Sequence, residues 1–299
     1  MSFLRTLCLL VSISKVKSWF CDGHMLVAAV ALKSGLMSQS TITLATELID
    51  YLAADYPMTP AFTESACWAD DLKSTGVTQE ANWHFIDLPI CRLADTTACP
   101  SPQDDNVVWA ITSAHSTVYS KKAAMLDRAR QLRFIIHFVG DIHQPLHAAT
   151  LIDAQFPPPT GDRGGNSYLI TGFDWTTELH ALWDGGMGQW YGDIPRPLNA
   201  TGSAWLDNFT STLLGQYPIS SLGPEIANVN VTSWADESNT LADTFVYTAP
   251  QSPTPVPDSY VQQGIEICNL RVALAGYRLA SLLEYIFTVG ALSDRVGSL

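Results

Sequence analysis

Apolar residues recur at helical spacing along most of the chain. The segment 40–56 shows this best, with apolar positions at Ile42, Leu44, Ala45, Leu48, Ile49 and Leu52. Further helices are predicted over 23–32, 63–72, 107–119, 121–144, 178–190, 203–216, 232–247 and 259–288. Strand-forming residues are confined to 167–170, within a loop-like stretch over 153–177. The pattern therefore predicts an all-α fold, a mainly helical single domain with a small β-hairpin.

One apolar segment, residues 134–147, carries four ionisable polar side chains. His137 and Asp141 are four residues apart and share one face of the predicted helix. Pro145 ends that helix, so His147 returns from the following turn. Burying these groups is costly unless they are hydrogen-bonded in the core or bind a ligand.

The N-terminus has the pattern of a secretory signal. Residues 1–5 are a short basic start, residues 7–13 form an apolar run, and Val16 and Ser18 are small residues suited to cleavage before Trp19. The prediction is a signal peptide over 1–18 and one catalytic domain over 19–299. Since no later segment offers eighteen uninterrupted apolar residues, no transmembrane anchor is expected.

An apolar content of 47% supports a packed core and excludes a disordered chain. Cleavage would remove three basic residues and no acids, so the net charge of −13 would become −16. Such a charge disfavours binding of polyanions through lysine and arginine. The conflict shrinks if aspartates hold divalent cations, which reverse the local field.

Five cysteines remain after the predicted cleavage: Cys21, Cys67, Cys91, Cys99 and Cys268. Secretion favours disulfides, but the number is odd and spacing does not determine the pairing. Cys91 with Cys99, and Cys21 with Cys67, are two candidate pairs. Three glycosylation sequons begin at Asn199, Asn208 and Asn230.

Polar residues in apolar or aromatic settings form a larger set: His24, Asp70, His84, His137, Asp141, His147, His180 and Asp184. His180 and Asp184 repeat the four-residue spacing of His137 and Asp141 on a second predicted helix. Imidazole with carboxylate suits zinc, and there are too many such residues for one tetrahedral ion. The set predicts a metal cluster.

The ordered motifs resemble a known family. They are Trp19 with Gly23-His24, Trp68-Ala69-Asp70, Trp83-His84-Phe85-Ile86-Asp87, the segment 134–147, Gly164-Gly165-Asn166, residues 179–184, and the C-terminal stretches 234–238 and 275–280. In order and spacing they resemble the zinc-dependent class I nucleases, the single-strand-specific nuclease and 3′-nucleotidase enzymes of fungi, plants and trypanosomatid protists. The fold implied by this resemblance is shared with zinc phospholipase C.

The resemblance implies three Zn²⁺ ions. Asp70, His84, His137 and Asp141 would bind the first, and His147, His180 and Asp184 the second. The third would take His24, the other oxygen of Asp141, and the α-amino nitrogen and carbonyl oxygen of Trp19, whose amine is free only after cleavage. Asp70 and Asp141 are then the catalytic carboxylates, working with a zinc-activated hydroxide. His143 is expected to make supporting hydrogen bonds.

The resemblance also implies a substrate site. Phe85 would stack on a nucleobase and Asp87 would accept a hydrogen bond from the base edge. Ordinary core packing is the alternative for Phe85. Lys73, one turn after Asp70, is expected either to meet a phosphate or to remain a solvated lysine.

The expected function is a secreted phosphodiesterase. It would cut single-stranded RNA and DNA to 5′-mononucleotides and remove the phosphate from 3′-mononucleotides. The alternatives are a zinc-dependent phospholipase C, against which Phe85 and Asp87 argue, and a zinc-storage or structural protein. We expect a monomer without a stable protein partner, secreted or held in a lysosome-like compartment of the secretory pathway.

Overall fold

The computed structural model describes residues 19–192 and 194–296, and the predicted signal peptide lies outside this range. Eleven α-helices are found in the described part of the chain. They are α1 (Cys21–Lys33), α2 (Gln39–Asp50), α3 (Phe62–Ser65), α4 (Trp68–Ser74), α5 (Val107–Tyr119), α6 (Met125–Asp141), α7 (Leu179–Asp184), α8 (Ala200–Gln216), α9 (Ile219–Leu222), α10 (Val231–Thr244) and α11 (Asp258–Val296).

Short 3₁₀ turns connect several of these helices. They span Ala81–His84, Thr96–Ala98, Pro145–Ala148, Gly186–Gly188, Gly223–Ala227 and Val246–Thr248. The helix predicted over 121–144 ends at Asp141, and Pro145 opens the next 3₁₀ turn, as expected for a residue without a backbone N–H. The helix predicted over 178–190 ends at Asp184 because Gly186 and Gly188 adopt positive φ angles.

Within residues 19–192 and 194–296, the strands form one small parallel pair. Strand β1 (Pro89–Cys91) lies beside β2 (Thr150–Ile152), with Ile90 opposite Leu151. The predicted hairpin is reduced to one antiparallel bridge between Leu169 and Glu178. It does not extend, because Thr171 pairs instead with Pro255 in the loop before α11. The architecture is otherwise the predicted one, a mainly helical single domain.

Helices α6 and α11 form the centre of the core. In α6, Leu132, Ile135 and Phe138 are completely buried. The stretch Asp258–Val289 of α11 is long and apolar enough to cross a membrane, yet 72% of its most apolar window is buried inside the domain. That burial identifies α11 as a core helix.

Both candidate disulfide pairs are present. Cys21–Cys67 ties the start of α1 to the residue preceding α4, and Cys91–Cys99 closes a loop after β1. Cys268 remains a buried free thiol on α11, which accounts for the odd number. The first disulfide fixes the two segments that carry His24 and Asp70.

Candidate metal centre

The polar residues singled out by the sequence converge on one buried centre. Its members are His24 on α1, Asp70 on α4, His84 at the end of a 3₁₀ turn, His137 and Asp141 on α6, His147 in the turn after α6, and His180 and Asp184 on α7. The side chain of Asp70 is 22% exposed and the others are buried. These residues form three groups whose ligand atoms lie within 4.8 Å of one another: the first is Asp70, His84 and His137; the second is His147, His180 and Asp184; and the third is His24, His137 and Asp141.

Asp141 joins the first and third groups through its two oxygens. Its Oδ2 lies 3.0 Å from Nδ1 of His84 and 3.2 Å from Nε2 of His137. Its Oδ1 lies 3.4 Å from Nε2 of His24. Asp70 completes this side, with Oδ1 3.7 Å from Nδ1 of His84. One carboxylate can therefore serve two cations.

Backbone carbonyls orient three of the histidines. Nδ1 of His137 donates to the Ala66 oxygen at 2.5 Å, and Nδ1 of His147 donates to the His84 oxygen at 2.7 Å. Nδ1 of His180 donates to the Gly164 oxygen at 2.5 Å. Because a carbonyl oxygen can only accept, each Nδ1 carries the proton and each Nε2 presents a lone pair to the centre.

Protonation states also match those of metal ligands. Burial lowers the pKa of His147 to about 4, and burial together with Lys73 lowers the pKa of His84 to about 4. Burial alone would raise the pKa of Asp141, but His137 and its neighbours hold it well below the ordinary value. At neutral pH these two imidazoles are neutral and the carboxylate is ionised, as metal binding requires.

The second group fits a cation for a further reason. Burial, together with Asp70 and Asp141, raises the pKa of Asp184 well above its ordinary value, so a positive charge is needed to hold it ionised. Nε2 of His147 is buried and has no hydrogen-bond partner among the described residues. Asp184 Oδ1 is 3.8 Å from it, too far for a hydrogen bond.

Two donor pairs lie at the separation expected of ligands that share one metal ion. Ligand bonds of about 2.0–2.1 Å in a tetrahedral site would place neighbouring donors roughly 3.3–3.5 Å apart. Nε2 of His180 and Oδ2 of Asp184 are 3.3 Å apart, and the His24–Asp141 pair is 3.4 Å apart. The three groups can therefore hold metal ions.

Trp19 lies against this centre. It is completely buried, and its indole Nε1 donates to the Gly140 oxygen at 2.9 Å. The backbone amide of the next residue, Phe20, donates to the backbone carbonyl oxygen of Asp184 at 2.9 Å. Gly140 also lets His24 pack closely against α6, since a Cβ at position 140 would stand 2.6 Å from Nδ1 of His24. The first residue after the predicted cleavage thus sits among the candidate ligands.

A pocket of about 270 Å³ opens beside the second group. Phe85 and Asp87 line it, together with Arg163, Asn166 and His180. Burial, and then Asp162, raise the pKa of Asp87 to about 6, while Arg163 acts in the opposite direction. Lys73 lies beside Asp70, with Nζ 3.4 Å from Oδ1 of that residue.

The chain matches known nucleases over most of its length. The sequence profile described as S1/P1 Nuclease matches residues 19–288. The chain belongs to the S1/P1 nuclease family. It is 26% identical to Endonuclease 4 of Arabidopsis thaliana, over 96% of this chain and 95% of that protein. It is also 26% identical to Nuclease P1 of Penicillium citrinum, over 90% and 97%, and to Nuclease S1 of Aspergillus oryzae, over 90% and 91%.

Membership of the S1/P1 nuclease family makes the chain a hydrolase of nucleic acids and confirms the family resemblance noted in its motifs. Two glutamines of the site were not singled out by the sequence. Gln144 donates from Nε2 to Asp184 Oδ1 at 2.6 Å. Gln103 accepts from the Asp87 amide at 3.0 Å and donates to the Phe85 oxygen at 3.2 Å, so it supports the pocket. Neither has a periodic sequence signal, because one lies in a turn and the other in a loop.

Proposed function

We propose that the mature chain is a trinuclear zinc phosphodiesterase. It hydrolyses single-stranded RNA and DNA to 5′-mononucleotides and removes the phosphate of 3′-mononucleotides. The observation that carries the proposal is the position of Asp141, whose two oxygens face two separate histidine groups while a third group stands beside them. Family membership supports the reaction class.

The ligands follow the three groups. The first zinc takes Asp70, His84, His137 and Asp141. The second takes His147, His180 and Asp184, and the third takes His24, Asp141 and the amine and carbonyl of Trp19. The third assignment requires removal of residues 1–18. Addition of one residue before Trp19 should therefore weaken only the third site, whereas full zinc content and activity in that variant would contradict the amine ligand.

Bound zinc supplies a Lewis acid and lowers the pKa of a coordinated water towards neutrality. Asp70 and Asp141 hold ionised carboxylates at the reacting centre, which is their catalytic role. Phe85 stacks on a base and Asp87 accepts from its edge, which orients the adjacent phosphate. Lys73, beside Asp70 at the rim of the metal centre, binds a phosphate of the substrate. Because a duplex hides its base faces, the stacking contact selects single strands.

The cellular setting follows from the sequence features around the domain. The apolar N-terminal segment, the two disulfides and the three sequons together support passage through the secretory pathway. We infer a secreted or lysosome-like location, N-glycosylation, and a monomer that needs no stable protein partner. Edman sequencing of the secreted protein tests the cleavage bond directly.

One assay decides the substrate class. Purified protein is given single-stranded DNA, a 3′-mononucleotide and phosphatidylcholine side by side, with and without a chelator. Cleavage of the first two, abolished by the chelator and restored by zinc, is the expected result. Preferential hydrolysis of the lipid would instead support a zinc phospholipase C, an alternative that none of the nuclease relatives above favours.

A further inference from the structure

A buried ionic network lies behind the turn that links Asp141 to His147. Arg278 on α11 is completely buried and binds both oxygens of Glu237 on α10, at 2.7 and 2.8 Å. Arg271, about two helical turns earlier on α11, also binds Glu237, at 3.1 Å. Two arginines on one carboxylate are costly to bury unless their remaining donors are used.

Arg278 donates from Nε to the Glu225 backbone oxygen at 3.0 Å, and other donors of the two arginines reach the turn itself. Arg271 Nε donates to the His143 oxygen at 3.1 Å, and its NH2 donates to Ser238 Oγ at 2.8 Å. Ser238 Oγ in turn donates to the Ile142 oxygen at 2.6 Å. Arg278 NH1 lies 3.0 Å from Nε2 of His143. The first two residues after Asp141 are therefore held by α10 and α11.

His143 is held in the state that this contact needs. Its Nδ1 donates to the Val139 oxygen at 2.8 Å, so Nε2 is the acceptor for Arg278. The histidine is thus a neutral link between the turn and the network.

The far end of the turn is held by the next residue of α10. Asn239 Nδ2 donates to the Ala148 oxygen at 3.0 Å and to the Leu88 oxygen at 3.1 Å. Ser238 and Asn239 are consecutive, and the carbonyls that they bind, of Ile142 and Ala148, lie on either side of the segment 143–147. That segment carries His147, and it carries Gln144, which binds Asp184.

We propose that Glu237, Ser238, Asn239, Arg271 and Arg278 form a turn clamp that positions His147 and Gln144 and so sets the affinity of the second metal group. These are positioning residues without contact to the reacting atoms. In the first group, His137 is fixed independently of the turn, because its Nδ1 donates to the Ala66 oxygen. The inference rests on the proposed zinc centre.

The test measures zinc release, using the mature protein and Ser238→Ala, Asn239→Ala and Asp236→Asn. Asp236 is exposed on the same helix and serves as the matched control. Zinc transfer to a chromogenic chelator is followed with and without a His180→Ala background. Ser238→Ala and Asn239→Ala should each weaken one zinc at least about tenfold, as expected for groups that orient ligands, and leave the other zinc ions unchanged. In the His180→Ala background neither should weaken any remaining zinc further.

Stability and rescue separate positioning from packing. Thermal unfolding of the metal-free variants reports packing, and Ser238→Thr, which keeps the hydroxyl, should restore zinc affinity. Wild-type affinity in both alanine variants would overturn the clamp alone. Equal weakening of every zinc would overturn it too, since the effect would then be general loosening. A wild-type chain that binds no zinc would overturn the proposed function together with the clamp.

Discussion

The candidate metal centre and the adjacent pocket lined by Phe85 and Asp87 are built in different ways. In the centre, His137, Asp141 and Asp184 lie on helices, are buried, and are oriented by backbone or side-chain hydrogen bonds. In the pocket, Phe85 and Asp87 lie between a 3₁₀ turn and β1 and are only half-buried, while Arg163 is exposed on a loop. The candidate ligands thus lie mostly on regular helices, whereas the pocket is built largely from irregular segments.

The largest effect is expected from a substitution that disrupts the metal centre and leaves the pocket intact. Asp141→Asn removes the carboxylate that faces two groups, and kcat on single-stranded DNA should fall by about a thousandfold or more. Asp55→Asn, at an exposed site, is the control and should keep wild-type kcat. An Asp141→Asn enzyme with near-normal kcat would show that the centre is not catalytic.

The second largest effect is expected from a substitution that disrupts the pocket and leaves the metal centre intact. Phe85→Ala loses a stacking contact of about 1–3 kcal/mol, which lowers kcat/KM on a 3′-mononucleotide by about 5–150-fold. Zinc content should be unchanged. A base-free 3′-phosphorylated sugar is the matched substrate, and the variant should cleave it at the wild-type rate. Equal losses on both substrates would assign Phe85 to core packing.

A third experiment uses pH to distinguish the two regions. Asp87 has a pKa of about 6, raised by burial and by Asp162, so its carboxyl accepts hydrogen bonds above pH 6 and is protonated below it. KM for a 3′-mononucleotide should therefore change between pH 5 and 7, and Asp87→Asn should abolish the change. Because the pKa of Asp87 is higher in the folded chain than in the unfolded chain, its contribution to folding stability is fully present below about pH 4. That contribution is lost as the pH rises through 6. A pH-dependent KM that persists in Asp87→Asn would exclude this residue.

The smallest effect is expected from substitution of Lys73, at the rim of the metal centre. Lys73 is partly buried beside Asp70 and is expected to meet a phosphate. Lys73→Ala should raise KM only up to about fivefold, with a weaker effect at high salt, as for a screened surface charge. Lys33→Ala, at an exposed ion pair with Asp207, is the control. A large fall in kcat would move Lys73 from the rim to the reacting centre.

The same contrast explains how much could be predicted from sequence. His137 with Asp141, and His180 with Asp184, were found because a helix brings residues four apart onto one face. His147 was found through Pro145, which ends the helix. The sequence did not reveal the roles of four other residues, Gln144, Gln103, Ser238 and Asn239. Those roles depend on which distant carbonyl or carboxylate the fold brings near. The β-prone stretch near 169 formed one bridge for a similar reason, since the loop before α11 supplied a competing partner.

The zinc content of the chain beginning at Trp19 tests the central claim most directly. Purified mature protein, dialysed against metal-free buffer, is measured by atomic absorption against protein concentration. We expect close to three zinc ions per chain. One zinc ion or none, with the N-terminus at Trp19 confirmed by mass spectrometry, would contradict the account.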